Sequence, residues 1–402
     1  MREKLEIWPA LPIVLGTLAR CDEWQAKWGL FNVAVALEQN NRICQIGLWG
    51  SQMDEILAAM HMSFPVLTRL ELFSGGKPVP VDPDLFLGGS APSLRFLHLT
   101  NIPFPGLPHL LFSATHLTDL LLDNISHSGY ISPEAMVSCF PALTRLERII
   151  LQFKSPKSFP IREHHPPPAP TRTLLPSLTS FGFNGVSEYL EDLVARIDTP
   201  LLHKLKIYLF RHLSPESAQL AQFINRSPIL EAHNEARVVF KDSSVHLKLG
   251  QVFEKGLDIA YSHKAEEIWQ VSSVAQFCTL SFSQPLAASI ERLYIYDSFT
   301  YWQAYVRVEN DQWLELLRHF TSVKSLYLSQ VVVPCIAPAL EGLIEVEERV
   351  AGVLPALQNL FLEKLNLSGP AQNAIESFVS GREFSSQPVA VSRWEGRNYY
   401  YT

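Results

Sequence analysis

The stretch SLRFLHLTNIPFPGLPHLLFSATHLTDLLLDN, from Ser93 to Asn124, decides how this chain folds. It holds two copies of one pattern, apolar-x-x-apolar-x-apolar, at Leu94/Leu97/Leu99 and at Leu117/Leu120/Leu122. The last two apolar positions of each copy are two apart, the spacing of a strand that buries one face. Two copies 23 residues apart leave room for a return segment between neighbouring strands, so the unit is a repeat rather than an isolated strand.

Outward from that stretch the pattern recurs. Leu67/Leu70/Leu72 and Leu357/Leu360/Leu362 are clear copies. Weaker ones are Leu146/Ile149/Leu151, Leu178/Phe181/Phe183, Leu202/Leu205/Ile207, Ile290/Leu293/Ile295 and Val323/Leu326/Leu328. Successive first positions differ by 27, 23, 29, 32 and 24 residues up to Leu202, and by 33 and 34 from Ile290 to Leu357. These are at or slightly above the period of leucine-rich repeats. Proline stands two residues before the first apolar position at Pro65, Pro92, Pro176, Pro200 and Pro355. It lacks an N–H and disfavours helix before it, so it stops a helix and starts an extended segment.

The connecting segments carry helix signals. In SEYLEDLVARID, from Ser187, the residues Leu190, Leu193, Val194 and Ile197 share one helical face behind a capping serine. Ser132-Pro133-Glu134 and Ser214-Pro215-Glu216 repeat a serine cap with proline at the first helical position. Gly369-Pro370 opens a last helix that closes near Gly381. The turn position that an ordinary repeat fills with Asn or Cys holds Ile102, Ile125, Val186, Val331 and Leu365, which predicts irregular turns. The pattern fades between Leu202 and Ile290, and the architecture of 231–289 stays open. Within it, Arg237 to Phe240 and Val245 to Leu249 read as two short strands, a candidate hairpin.

The expected fold is therefore α/β, a leucine-rich-repeat solenoid: a curved horseshoe with parallel strands on the concave face and helices and irregular segments on the convex face. The expected organisation is an N-terminal helical cap or first repeat over 1–42, an irregular array over 43–381 with a proline-rich loop at 155–172, and a C-terminal tail over 382–402.

The run from Phe86 to Met136, with Glu188 to Leu202 and Trp313 to Ser329, resembles the F-box/leucine-rich-repeat proteins abundant in basidiomycete fungi. The likeness extends from about Leu5 to Val391. It implies the target-recognition part of a ubiquitin ligase receptor, whose F-box docks on a cullin-RING ligase adaptor while the repeats hold the target. An F-box would precede the repeats, yet the repeat-like region begins almost at Met1, so no residue is carried over as adaptor-binding. The ligase role thus expects an F-box restored upstream or another mode of attachment. The alternative is a stand-alone repeat scaffold with no ligase link, and an enzyme of unknown type stands third.

Composition and motifs point to protein binding rather than chemistry. A net charge of -7 gives no general basis for holding a nucleic acid. No apolar run is long enough for a membrane span. Five scattered cysteines without a CxxC pair, and an N-terminal apolar stretch that is broken by Pro9 and Pro12 and follows Glu3 and Glu6, fit a cytoplasmic or nuclear protein that is not secreted. Gly75-Gly76-Lys77 lacks the flanking residues of a phosphate loop, and His164-His165 is a poor metal pair, so no cofactor, metal or catalytic residue is expected.

Two binding features remain. On the face away from the helices, Tyr294, Tyr327 and Phe361 occupy one column of neighbouring strands, with Tyr296 and Tyr208 on the same face. This strip reads either as a partner-binding surface or as a surface covered by the aromatic tail around Trp394 and Tyr399 to Tyr401. In the proline-rich loop, Pro167, Pro170 and Arg172 fit an SH3-type ligand, against the plainer reading of a linker whose deletion from Phe159 to Pro170 costs little stability.

Overall fold

A computed structural model describes residues 11–16, 32–51, 53–75, 85–160, 171–210, 218–227, 233–241, 244–250, 255–262, 270–281, 288–297, 308–343, 353–363 and 369–395. They fall into two compact units. The first is 1–185 with 192–202, and the second is 186–191 with 203–402.

The first unit is built on parallel strands placed side by side in chain order: β1 (Ile13–Gly16), β2 (Ile43–Gly50), β3 (Arg69–Ser74), β4 (Phe96–Thr100), β5 (Asp119–Ile125), β6 (Arg148–Phe153) and, after the short β7 (Thr173–Leu174), β8 (Ser180–Gly185). Register aligns the repeat's apolar positions into two columns. Ile46, Leu70, Leu97, Leu120, Ile149 and Phe181 form one, and Leu48, Leu72, Leu99, Leu122, Leu151 and Phe183 the other. Every member is buried. Each side chain so removed from water contributes about 1.5–3 kcal/mol, and only a neighbouring strand completes its burial. Short helices return the chain: α1 (Met53–Ala59), α2 (Leu107–Leu111) and α3 (Pro133–Cys139), the last capped by Ser132 Oγ, which accepts from the Ala135 amide at 3.2 Å as the Ser-Pro-Glu signal predicts. Leu99 and Leu122 line one small void with Leu107 of α2, which fixes the helices on the apolar side of the sheet.

Helix α4 (Ser187–Ala195) is divided between the units, and β9 (Ile197–Asp198) pairs with β7 in the first. The second unit then departs from simple progression. Its strands are β10 (Lys204–Leu209), β11 (Glu235–Lys241), β12 (Ser244–Leu249), β13 (Gly256–Ser262), β14 (Arg292–Asp297), β15 (Ser325–Leu328), β16 (Asn359–Leu362) and β17 (Ala390–Arg393). In the sheet they lie β10-β13-β12-β11-β14-β15-β16-β17. β11 and β12 are the expected hairpin, and β12 is antiparallel to β13 as well, so three strands form a reversed meander between β10 and β14. The columns survive the reversal. Ile207, Ile259, Leu247, Val238, Ile295, Leu328 and Leu362 stand in one line, because a strand run backwards in correct register keeps the same residues on the same face. Gly256, at φ +135°, makes the entry to β13: a Cβ there would lie 2.1 Å from the Leu249 carbonyl oxygen.

Helices α5 (Ala218–Asn225), α6 (Gln270–Ser281), α7 (Asn310–Leu317), α8 (Val333–Glu341) and α9 (Pro370–Phe384) each pack on the next. Phe240 of β11 meets Trp313 of α7 edge-on at 5.9 Å between ring centroids, so this layer too lies on the apolar side.

Several expectations need correction. Ahead of β2, β1 adds a strand to the sheet. The array also has a copy at Ile43/Ile46/Leu48, which forms β2. Helix α9 continues through Gly381 to Phe384, and the segment after it is not a free tail: β17 extends the sheet beside β16. The extra turn carries Arg382, buried among apolar neighbours, whose guanidinium donates to the carbonyls of Leu354 and Leu357 at 3.4 and 3.3 Å. Two of the five turns, those at Ile102 and Ile125, carry an asparagine one position earlier. Asn101 and Asn124 adopt the left-handed conformation that asparagine tolerates, and Asn101 Nδ2 donates to the Ser74 carbonyl at 3.0 Å. Phe159 is not linker, because its ring lies 4.4 Å from that of Phe153.

Two outcomes test this packing. Leu97→Asp places a carboxylate in a fully buried column and should cost on the order of 4 kcal/mol or more, seen as a collapse of the thermal transition. An unchanged melting temperature contradicts the register. Phe159→Ala should cost about 1–3 kcal/mol by denaturant titration, whereas deletion of 161–170 should cost less than about 1 kcal/mol.

Candidate interaction surfaces

The side of each sheet opposite the helices is where the chain presents chosen side chains, because strand residues alternate. In the first unit this outward face carries charges set in pairs. Arg69 bonds Glu71 and lies over the Phe96 ring at 3.8 Å, and Arg148 Nε donates to Asp119 Oδ1 at 2.7 Å. His98 Nε2 is 2.7 Å from Asp123 Oδ2. Above the paired charges, at the strand ends, stand Trp49 and Phe73 in register on β2 and β3, with ring centroids 5.4 Å apart. They are 65% and 37% exposed, beside the ion pairs Arg69–Glu71, Arg148–Asp119 and His98–Asp123 of the described face.

In the second unit the expected column is present. Tyr294, Tyr327 and Phe361 are in register on β14, β15 and β16. Their rings stack at 4.2 Å and 4.4 Å with interplanar angles of 12° and 6°. The strip is not open, however. Trp394, just past β17, sets its ring edge-on to Tyr294 and Tyr327 at 6.0 and 5.6 Å, and its Nε1 donates to the Leu328 carbonyl at 3.0 Å. Tyr294 and Tyr296 are buried in a cluster with Val239 and Trp394, and Tyr327 and Phe361 pack against it. Trp394 thus covers part of this strip: Tyr294 and Tyr296 are buried beneath it, and Tyr327, Phe361 and Tyr208 are half-buried. The indole bond reaches across β16 to the end of β15 and fixes the Trp394 ring over the strip. Tyr399 to Tyr401 lie outside the described residues.

Along the same outward face run Lys206 of β10, Asp258 of β13, Lys248 of β12 and Arg237 of β11, one register row that continues into Tyr294. Arg237 bonds Glu235 and lies 5.8 Å from the centre of the Tyr294 ring. One row along, Tyr208 is half-buried and edge-on to His246 at 6.5 Å.

His246 also joins two polar neighbours. Its Nδ1 lies 3.1 Å from Asp258 Oδ1 and its Nε2 lies 3.1 Å from Ser244 Oγ. That is the connectivity of a serine–histidine–aspartate relay. Burial lowers the His246 pKa against the pull of Asp258. Yet Ser244 is only 4% exposed, within the sheet, and a carbonyl carbon has no approach to its oxygen. At His98 the geometry is different again, since Thr100 and Asp123 both face Nε2, whereas a relay needs the two ring nitrogens separately. Among the described residues no group of three or more His, Cys, Asp or Glu side chains could hold a metal ion. No described helix is long and apolar enough to cross a membrane.

Of the SH3-type pattern, Pro167 and Pro170 lie outside the described residues, and Arg172 Nε donates to the Ala195 carbonyl at 3.4 Å.

No family model matches the chain, and no curated protein matches it significantly. Among solved structures, a leucine-rich-repeat protein of Leptospira interrogans aligns over 88% of this chain and 90% of its own at 11% identity, with a TM-score of 0.23, too loose a superposition to bear on the fold.

Trp49 escapes the repeat pattern because β2 lies ahead of the clear copies, whereas Phe73 directly follows one of them, Leu67/Leu70/Leu72. A signal exists all the same: Ile43/Ile46/Leu48 lies 24 residues before Leu67 and places Trp49 on the outward face.

A buried carboxyl in the second unit gives a pH test. Asp297 accepts from Ser329 Oγ at 2.8 Å, and burial, with the charge of Glu363 adding to it, raises its pKa despite that bond. A folded pKa above the unfolded one means that stability is full below the unfolded value, near 4, and is lost as pH rises through the folded one. Asp297→Asn keeps an acceptor for Ser329. It should raise the melting temperature near pH 7 relative to the unmodified chain, with the gap closing toward about pH 4. A gap that is constant with pH contradicts the assignment.

Proposed function

We propose that this chain is a leucine-rich-repeat solenoid that binds a protein on the outward face of its sheet and performs no chemistry. The observation that carries this is the Trp49–Phe73 pair, exposed beside the ion pairs of the described face. Exposed tryptophan flanked by satisfied polar groups is the composition of an interface hot spot, where a ring is desolvated without stranding a charge. The inaccessible Ser244 supports a non-enzymatic reading.

The finer reading, supported by the family resemblance alone, is target recognition in an F-box-type ubiquitin ligase. In it the repeats hold the target and a separate F-box engages the cullin adaptor. The stand-alone scaffold differs in one respect, the adaptor.

Trp49→Ala with Phe73→Ala should lower affinity for a partner purified from native cells by about 2–4 kcal/mol. The melting temperature should shift little, since Trp49 is mostly solvent-facing. Undiminished binding by the folded double variant would remove this surface as the site. Recovery of the cullin adaptor with the native full-length product favours the ligase role, and an intact partner complex without it favours the scaffold.

A further inference from the structure

The outward face of β10 to β13 differs from that of the first unit in its charge balance. Among the described residues of these four strands, Lys206, Lys241, Lys248 and Arg237 face outward against two carboxylates, Asp258 and Glu235. This occurs in a chain whose net charge is -7, so the excess is local. In the first unit each outward arginine has its own carboxylate. Here Asp258 is shared, with Lys248 Nζ at 3.9 Å and Lys206 beside it in register. Glu235 is shared as well, between Arg237 and Arg292.

We propose that this face binds a short carboxylate-rich segment of the partner protein, an extended acidic peptide laid across β10, β13, β12 and β11. The inference rests on the protein-binding reading above and names the chemistry of what is bound. Lys206 and Arg237 are three strands apart, about 14 Å, which an extended chain spans in about four or five residues. Alternate side chains of such a segment point the same way, so one carboxylate meets Lys206 on β10 and another, past Asp258, meets the adjacent Lys248 and Arg237 on β12 and β11. Lys206 is exposed and begins the contact, whereas Lys248 and Arg237 are largely buried and are fixed before the ligand arrives. Burial lowers the Lys248 pKa, and the charges of Lys241, Lys206 and Arg237 add to that against the pull of Asp258. An arriving carboxylate relieves this repulsion. The occupant is a short anion rather than a nucleic acid because the excess is confined to four strands. A long polyanion continues past it into the field of an acidic chain.

The test uses the full chain and three probes: hexaglutamate peptide, hexaglutamine peptide and a six-nucleotide oligouridylate. Calorimetric titrations are run in about 50 mM and about 300 mM sodium chloride. Hexaglutamate should bind at the lower salt and weaken severalfold at the higher, while hexaglutamine should not bind. Lys206→Gln, at an exposed position, should weaken hexaglutamate about tenfold with no change in melting temperature, and Lys248→Gln should do the same in protein shown to be folded. Absence of hexaglutamate binding, equal binding of the two peptides, tighter binding of the oligouridylate, or full binding by both folded variants would overturn the proposal. Failure of these titrations while the native partner is still captured through Trp49 and Phe73 leaves the protein-binding reading intact. Hexaglutamate binding with no native partner captured sinks that reading instead.

Discussion

Burial of apolar columns by neighbouring strands is the constraint on which the rest of the structure depends. A single strand with two inward leucines cannot remove them from water, and a short helix covers only one side of them. Ile46 through Phe181, and Ile207 through Leu362, are buried because each has the next copy beside it in register. A one-residue slip would turn the whole set to the opposite face, so register is enforced at every step. That enforcement makes the outward positions available for other purposes, since their identity does not decide whether the column forms.

The two outward faces use this freedom differently. In the first unit charges are neutralised close to where they arise, and Trp49 and Phe73 are left uncovered. In the second unit the aromatic rings stack down the strands and accept Trp394 as cover, while the neighbouring meander gathers cations around shared carboxylates. Aromatic stacking along parallel strands adds stability beyond area burial, which suits the last strands of the array, where β17 ends the columns with the exposed Val391 and Arg393.

The strand positions are legible where the apolar spacing is clean, and Leu67 to Leu202 need no structure to place them. The tyrosine column is equally legible, because a fixed offset from each copy identifies both face and neighbour. Its cover depends on where the chain after α9 returns, which no local pattern states. The reversed meander is illegible for a related reason: alternation in Val238, Phe240, Leu247 and Leu249 defines faces but not strand order, and the hairpin signal does not say which strand meets β10. The Trp49–Phe73 pair is less legible because Trp49 belongs to the copy at Ile43/Ile46/Leu48, ahead of the clear ones, and the pattern fixes only the inward anchors.

The central claim, that the outward face of the sheet holds a protein partner, is tested most directly by site-specific photocrosslinking in native cells. A photoreactive phenylalanine analogue is placed in turn at position 73 on the outward face and at position 112, where Phe112 caps helix α2 and is 49% exposed. The account predicts that position 73 captures a discrete protein and position 112 does not. Capture from position 112 with none from position 73 would contradict it.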